Sequence, residues 1–296
     1  MVKPNFFIVG APKCGTTALS EYLRNHPNVF MSSPKEPYYF DFDLKKKVQM
    51  EEKTYLKLFS NVNKNIHTAI GEASTTYLYS KVAVKAILEF NPESKFIVMV
   101  RNPIELVQSL HSQHLYAGGE TILDFVEAWD LQEERQDLSK FVFETKRFQY
   151  AEWGLLGKQL EYMLGNVNAR KVMVIVFDDF QNRTKEIYED VLRFLEVPLD
   201  GRIEFSIINE NRSISNVHLQ RVFARLIDFK LYMHAKFGTP EFGLLNKFSF
   251  LYAKKNKRKK ISLDVEEKLK AYYFEDVKLL SKILGRDLTA WVAPGK

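Results

Sequence analysis

The stretch that decides the fold is Phe6-Phe7-Ile8-Val9-Gly10-Ala11-Pro12-Lys13-Cys14-Gly15-Thr16-Thr17. Its first four residues are aromatic or β-branched, which predicts a short buried strand. Two glycines then frame a loop, and the residues after Thr17 have the spacing of a helix. A strand that leads through a glycine loop into a helix directs backbone N–H groups and the positive end of the helix dipole at one anion. This segment therefore predicts a phosphate-binding loop.

The position of Lys13 distinguishes this loop from that of nucleoside triphosphatases. In a Walker A motif a lysine and a Ser or Thr follow the second glycine, and the hydroxyl binds magnesium. Here Thr16 follows Gly15, and the lysine lies inside the loop. We therefore expect Lys13 beside the scissile bridge of a bound nucleotide, while Thr16 and Thr17 bind a 5′-phosphate without a metal.

A second anion site is predicted after the run Lys95–Val100, which is typical of a buried parallel strand. Arg101 follows this strand, and Pro103 is placed to begin a helix. Ser109 lies about two helical turns further on. An arginine with a serine hydroxyl suits an isolated phosphate. Two separate phosphate sites suit a nucleotide that is phosphorylated at both its 5′ and 3′ positions.

Strand and helix patterns alternate along the chain, which predicts an α/β fold with a mostly parallel central sheet flanked by helices in three layers. The predicted strands are Asn5–Gly10, Val29–Met31, Thr68–Gly71, Lys95–Val100 and Lys171–Phe177. The predicted helices are Thr17–Asn25, Lys53–Phe59, Lys81–Glu89, Pro103–Tyr116, Leu123–Glu133, Leu155–Leu164, Thr184–Leu195, Asn216–Lys230 and Asp264–Leu284. Because no Gly/Ser- or Pro-rich linker divides the sequence, we expect a single domain over residues 1–296.

Composition narrows the class of protein. With 296 residues, 46% of them hydrophobic, the chain can bury a large core. Its apolar runs are far shorter than the roughly 18 residues that span a bilayer, and no signal peptide is evident, so we expect a cytoplasmic protein without a transmembrane segment. The single cysteine excludes an intramolecular disulfide and a cysteine-built zinc site. The net charge of +6 favours anionic partners, and much of it lies in Lys254–Lys260.

Three segments resemble the sulfotransferases that use 3′-phosphoadenosine 5′-phosphosulfate (PAPS). Phe7–Thr17 resembles their 5′-phosphosulfate loop, Val100–Ser109 is similar to their 3′-phosphate motif, and Leu284–Trp291 resembles the closing segment of bacterial members. The resemblance implies a P-loop-like fold, PAPS as co-substrate, adenosine 3′,5′-bisphosphate as product and no required metal. The donor-binding residues that it implies are Pro12, Lys13, Cys14, Gly15, Thr16, Thr17, Arg101 and Ser109, with the Cys14 side chain expected only to fill the loop.

The candidate base is Glu36, in a segment that two prolines stiffen. Sulfuryl transfer needs a group that accepts the acceptor's proton, and Lys35–Asp41 is similar to the segment of heparan-type sulfotransferases that carries their catalytic glutamate. Lys13 and Glu36 are thus the predicted catalytic residues. His111 and His114 are the alternative bases, because histidine titrates in the useful pH range.

The acceptor is less constrained by the sequence. Ala73 stands where heparan-type enzymes generally have a lysine, which argues against a glycosaminoglycan-like acceptor. Four aromatic residues suggest a cleft for a sugar, a lipid or another small metabolite: Tyr38, Tyr39, Phe40 and Trp129. The loop Asn209–Ser213, which contains Arg212, resembles a nucleotide-holding loop of bacterial relatives, and an ordinary turn is the alternative. Nothing in the sequence indicates the oligomeric state.

Two other classes of protein remain open at this point. One is a magnesium-dependent kinase or NTPase with an aberrant loop. The other is a non-catalytic binder of nucleic acid or acidic lipid that uses Lys254–Lys260. This tract lacks the interleaved aromatic side chains on which bases stack, so nucleic acid is not an expected partner.

Overall fold

The computed structural model of the protein describes residues 2–44, 50–117, 119–137, 146–206, 208, 213–214, 253–254 and 260–294. The strands are β1 Phe6–Gly10, β2 Val29–Met31, β3 Ala69–Ala73, β4 Lys95–Val100, β5 Val172–Val176, β6 Ser213–Ile214 and β7 Ala253–Lys254. The α-helices are α1 Thr16–Arg24, α2 Glu52–Lys57, α3 Ala83–Phe90, α4 Pro103–Tyr116, α5 Phe125–Asp130, α6 Tyr150–Trp153, α7 Leu156–Leu164, α8 Phe177–Asn182, α9 Thr184–Leu195 and α10 Leu263–Leu284. Short 3₁₀ turns lie at Glu134–Asp137, Ala169–Lys171 and Thr289–Trp291.

The central sheet has the strand order β2-β3-β1-β4-β5, with every neighbouring pair parallel. Helices lie around it, and the predicted fold class is confirmed. Parallel strands that are covered on both faces read as continuous apolar runs, and Phe96–Val100 of β4 is fully buried. Because the strands are parallel, all their carboxyl ends lie at one edge of the sheet, where ligands bind in folds of this kind.

The five predicted strands of the central sheet are all present. Thr68–Gly71 was placed too early, since β3 ends at Ala73. The predicted end of the last strand at Phe177 is wrong, because this residue begins α8. Asp178 and Asp179 lie in the first turn of α8, where negative charge is favoured by the helix dipole. The predicted helix Asn216–Lys230 lies outside the described residues.

The core is one cluster of buried apolar side chains that reaches from Phe6 in β1 to Val292 near the end of the chain. The helix α10 joins this core by packing against α7. There the Asp276 carboxylate accepts hydrogen bonds from the backbone N–H groups of Gly157 and Lys158 at 2.8 and 2.9 Å. That the whole chain forms a single domain stays a prediction.

None of the helices in the described ranges has both the length and the apolar character that crossing a membrane would need.

Candidate functional site

A cleft of about 810 Å³ opens at the carboxyl edge of the sheet. Each strand of the central sheet is followed by residues that line it. In spatial order from β2 to β5 these are Lys35 and Glu36 after β2, Thr75 after β3, Pro12 and Lys13 after β1, Arg101 after β4 and Phe177 after β5. The strand order therefore places the candidate base at one end of the cleft, an aromatic side chain at the other, and the phosphate loop between them.

The phosphate loop, residues 10–17, has the backbone that its glycines allow. Gly15 has φ 90° and precedes the first residue of α1. A Cβ at Gly15 would lie 3.0 Å from the Phe177 ring, so both conformation and space require glycine. Lys13 is left-handed as well, with φ 64°. Gly15, Thr16 and Thr17 line the cleft, so the amino end of α1 faces it.

The Cys14 side chain points away from this cleft. It is fully buried, and its Sγ lies 3.4 Å from the Pro12 carbonyl oxygen. Burial raises the pKa of the thiol to about 12, against the opposing charges of Arg101 and Lys13. The thiol is therefore neutral and fills the base of the loop, as the sequence analysis expected of this side chain.

Arg101 follows β4, and its side chain contacts residues that follow β1 and β5 as well as a residue of α4. Its Nη1 donates to the Lys13 carbonyl oxygen at 3.1 Å, and its Nε donates to Glu105 Oε2 at 3.0 Å. The guanidinium carbon lies 4.5 Å from the centre of the Phe177 ring. Ser109 lines the same cleft. The two predicted anion sites thus share one cavity.

The C-terminal turn links the two loops beside Arg101. Trp291 Nε1 donates to Asp178 Oδ2 at 3.1 Å, at the start of α8. The Trp291 carbonyl oxygen accepts a hydrogen bond from Asn102 Nδ2 at 3.4 Å, at the start of α4. The segment that resembles the closing part of bacterial sulfotransferases therefore joins the start of α8 to the start of α4, next to Arg101.

Glu36 lies at the β2 end of the cleft with three partners. Lys35 Nζ lies 2.8 Å from Glu36 Oε1, Thr75 Oγ1 donates to the same oxygen at 3.2 Å, and the Tyr38 hydroxyl donates to Oε2. Burial opposes ionisation, but the Lys35 charge and these hydrogen bonds outweigh it, so the pKa of Glu36 lies below its ordinary value. The carboxylate is therefore ionised at neutral pH and can accept a proton.

Both histidines are placed away from the cleft. His111 is buried, its Nε2 lies 2.9 Å from the Ile122 carbonyl oxygen, and burial lowers its pKa. His114 is also buried, and burial together with the Arg147 charge holds its pKa well below the ordinary value. Neither is among the described residues that line the cleft. This geometry favours Glu36 over His111 as the base.

Of the four residues predicted to form an aromatic acceptor cleft, Tyr38 contacts the cleft residue Glu36, and the other three pack elsewhere. The ring of Tyr39 stacks on that of Tyr55, with 4.3 Å between the ring centres. Phe40 is buried in the core. Trp129 packs on Tyr272 and Tyr273. A different set lines the cleft near β5, which we call the aromatic wall: Tyr22, Phe177, Phe180 and Phe205. Tyr22 lies in α1, Phe177 and Phe180 lie in α8, and Phe205 follows α9. Apart from the pair in α8, tertiary contacts bring these residues together, so no single sequence motif indicates the set.

Of the remaining predicted site residues, Arg212 lies outside the described residues, as does the middle of the tract Lys254–Lys260.

Comparison with known proteins gives a consistent result. A family model described as "Sulfotransferase domain" matches residues 3–280. Carbohydrate sulfotransferase 15 of Mus musculus is 32% identical in an alignment that covers 38% of this chain and 27% of the relative. Heparan sulfate glucosamine 3-O-sulfotransferase 6 of Homo sapiens is 33% identical, with 38% of this chain and 31% of the relative covered.

The matched part of the chain thus corresponds to about a quarter to a third of the length of these curated relatives. The fold also matches that of a solved structure along nearly the whole chain. The sulfotransferase from Alicyclobacillus acidocaldarius superposes with a TM-score of 0.72 at 25% identity, and the match covers 99% of this chain and 100% of that one.

Proposed function

Because the chain belongs to the sulfotransferase domain family, we propose that it transfers a sulfuryl group from PAPS to a hydroxyl or amine group of an acceptor bound in the same cleft. The observation that carries this proposal is the arrangement along the carboxyl edge of the sheet. One cavity is lined by Glu36, whose carboxylate is ionised, and by Lys13, Arg101 and Ser109, which follow β1 and β4.

The cleft fits an extended, doubly phosphorylated nucleotide. Ligand pockets usually have volumes of about 300–1,000 Å³, and this one is about 810 Å³. The aromatic wall at β5 suits an adenine ring, which stacks on aromatic faces. Arg101 and Ser109 at β4 suit a 3′-phosphate, and the amino end of α1 suits a 5′-phosphate. The adjacent strands β3 and β2 are left for the acceptor.

In the proposed reaction the acceptor oxygen or nitrogen forms a bond to sulfur while the bond between sulfur and the 5′-phosphate oxygen breaks. The electron pair of the broken bond goes to the phosphate, and Glu36 takes the acceptor's proton. Lys13 and the α1 dipole stabilise the charge that develops on the phosphate. Donors and charges preorganised in this way commonly supply the largest share of catalysis.

Other polar side chains line the cleft besides the proposed phosphate contacts: Lys35 in the loop after β2, Thr75 after β3, and Ser112, Gln113 and Tyr116 in α4. Hydroxyl, amide and ammonium groups bind hydroxylated molecules through hydrogen bonds. Two relatives are named as sulfotransferases of carbohydrate and of heparan sulfate glucosamine. Together with this lining, that supports a carbohydrate or a similar polyhydroxylated molecule as the acceptor class.

The proposal is tested by incubating the protein with ³⁵S-labelled PAPS and a panel of sugars, lipids and phenols in the presence of a chelator. We expect label on a hydroxylated acceptor, without added metal, together with stoichiometric adenosine 3′,5′-bisphosphate. Calorimetry with that nucleotide in chelator, against ATP with magnesium, separates the proposal from a kinase or NTPase. Tighter binding of ATP with magnesium, or transfer that stops on chelation, would contradict it.

A further inference from the structure

Glu72 is a fully buried carboxyl group near the carboxyl end of β3 that the proposed reaction does not use. It accepts three hydrogen bonds from hydroxyl groups. Ser74 Oγ donates to Oε1 at 2.5 Å, and the hydroxyls of Tyr55 and Tyr77 donate to Oε2 at 2.8 and 3.2 Å. The hydrogen bonds from these three hydroxyl groups stabilise its ionised form against the effect of burial.

The same hydroxyl groups contact the loop that carries Glu36. Ser74 Oγ accepts a hydrogen bond from the Tyr38 backbone N–H at 3.1 Å. The Tyr77 hydroxyl oxygen accepts from the N–H groups of Tyr39 at 2.9 Å and Phe40 at 3.3 Å. Each hydroxyl has only one proton. When Ser74 or Tyr77 donates that proton to Glu72, the lone pairs of its hydroxyl oxygen are left to accept hydrogen bonds from the N–H groups of the loop.

The loop needs such support because its backbone is unusual. Glu36 has φ 61° and Tyr38 has φ 52°, both in the left-handed region that residues with a side chain rarely adopt. Conformations of this kind persist only where the surroundings impose them. Tyr38 also donates its hydroxyl proton to Glu36. The direction of the Glu36 carboxylate therefore depends on the backbone of residues 38–40.

We propose that Glu72 is a positioning residue for the base. By accepting the protons of Ser74 and Tyr77 it makes both oxygens acceptors for the loop backbone, and it thereby fixes Glu36 against the donor site. This inference rests on the proposed function, since it assigns Glu36 the role of base.

The first test is Glu72→Gln, which keeps the shape of the side chain but turns one acceptor into an N–H donor that competes for the same hydroxyl oxygens. We expect hydrogen exchange at the amides of Tyr38, Tyr39 and Phe40 to accelerate at least tenfold at pH 8. The rate of adenosine 3′,5′-bisphosphate release from PAPS, with water as the acceptor, should fall at least tenfold. The dissociation constant for adenosine 3′,5′-bisphosphate should stay within twofold of the wild-type value.

Two tyrosine variants distinguish a positioning role of Glu72 from a general contribution to core packing. Tyr55 and Tyr77 are both fully buried, and both donate to Glu72 Oε2. The Tyr77 hydroxyl also accepts hydrogen bonds from the N–H groups of Tyr39 and Phe40, whereas Tyr55 contacts these residues through its ring. We expect Tyr77→Phe to reproduce the faster exchange and slower turnover of Glu72→Gln, and Tyr55→Phe to change both by less than threefold.

Asp276→Asn is the control for loss of a buried carboxylate elsewhere, since Asp276 contacts α7 and does not line the cleft. Equal effects of Tyr55→Phe and Tyr77→Phe, or loop exchange in Glu72→Gln that matches wild type, would overturn the inference. Failure of the wild-type protein to bind adenosine 3′,5′-bisphosphate would instead contradict the proposed function, and the exchange measurement needs no nucleotide.

Discussion

The phosphate loop and the base loop lie on opposite sides of Thr75 in the same cleft, yet their conformations have different origins. The phosphate loop takes its shape from residues within it, above all Gly15. The base loop, residues 36–41, takes its shape from side chains 36 and 38 positions away in sequence, which bond the N–H groups of Tyr38 and Tyr39. One half of the site is thus encoded locally and the other by tertiary contacts.

Because of this difference, we expect substitutions in the two loops to affect nucleotide affinity and turnover separately. The locally encoded half is the proposed donor site, and its residues can be read as a motif. The half that depends on tertiary contacts holds the proposed base, so a change in the core beneath it should alter turnover while nucleotide affinity stays the same. The experiments below exploit this separation.

The largest effect is expected for Glu36→Gln. The amide has nearly the same shape but cannot accept the acceptor's proton, and general bases contribute about 10²- to 10⁴-fold to rate. We expect turnover in the ³⁵S-PAPS transfer assay to fall by that factor while affinity for adenosine 3′,5′-bisphosphate is unchanged.

A variant that retains more than a tenth of wild-type turnover would show that another group acts as base. His111→Gln serves as the matched control, since His111 does not line the cleft, and its turnover should stay near the wild-type value.

Lys13→Ala should affect the phosphate loop, which is the proposed donor side of the cleft. Loss of one group that stabilises developing negative charge costs about 2.7–4 kcal/mol, or about two to three orders of magnitude in turnover. Unlike Glu36→Gln, this variant should also bind the nucleotide more weakly, because Lys13 lines the donor side of the cleft.

Lys85→Ala, which removes an exposed lysine from α3, controls for the change in net charge. If Lys13→Ala turned over at nearly the wild-type rate with its fold intact, Lys13 would have no role in the transfer step.

The smallest effect is a difference in how pH alters stability. Burial raises the pKa of Glu72 from 4.5 to about 7, against the hydrogen bonds from Ser74, Tyr55 and Tyr77. The folded protein therefore favours the neutral form more than the unfolded chain does, although the carboxylate still predominates above about pH 7. The stability that the neutral form contributes is present below pH 4.5 and is lost as pH rises through about 7. We expect the free energy of unfolding of the wild type to decrease relative to Glu72→Gln between pH 5 and pH 8.

Glu36 should show the opposite sign, because its pKa is lowered. Its contribution is present above the ordinary value of 4.5 and is lost as pH falls through the acid range. Urea denaturation of the wild type and both Gln variants across this pH range measures the two slopes. Parallel curves for wild type and Glu72→Gln would contradict the raised pKa.

The sequence predicted the parts of the molecule in which neighbouring residues act together. The central strands, α4 and α9 follow from apolar runs and helical spacing, and the phosphate loop follows from its glycines, Lys13 and paired threonines. Because parallel strands end at one edge, the convergence of Lys13, Glu36 and Arg101 in one cleft followed from the predicted fold.

Side-chain direction in loops and contacts between distant segments could not be predicted in the same way. Tyr39 and Phe40 were assigned to the acceptor cleft, but the loop turns them into the core against Tyr55. The aromatic wall brings together α1, α8 and Phe205, and Glu72 bonds Tyr55, 17 positions before it, so periodicity gave no sign of these contacts. Ser74 and Tyr77 are only two and five positions from Glu72, but spacing does not set the direction of their hydroxyl groups in the loop after β3. Phe177 was read as the end of a strand because the apolar run continues to it, whereas the acidic residues after it begin a helix.

The most direct test of the donor site is a crystal structure of the protein with adenosine 3′,5′-bisphosphate. We expect the 5′-phosphate at the amino end of α1 beside Lys13, the 3′-phosphate at Arg101 and Ser109, and the adenine against the aromatic wall. A nucleotide bound outside this cleft, or in the cleft with its phosphates away from Lys13 and Arg101, would contradict the account.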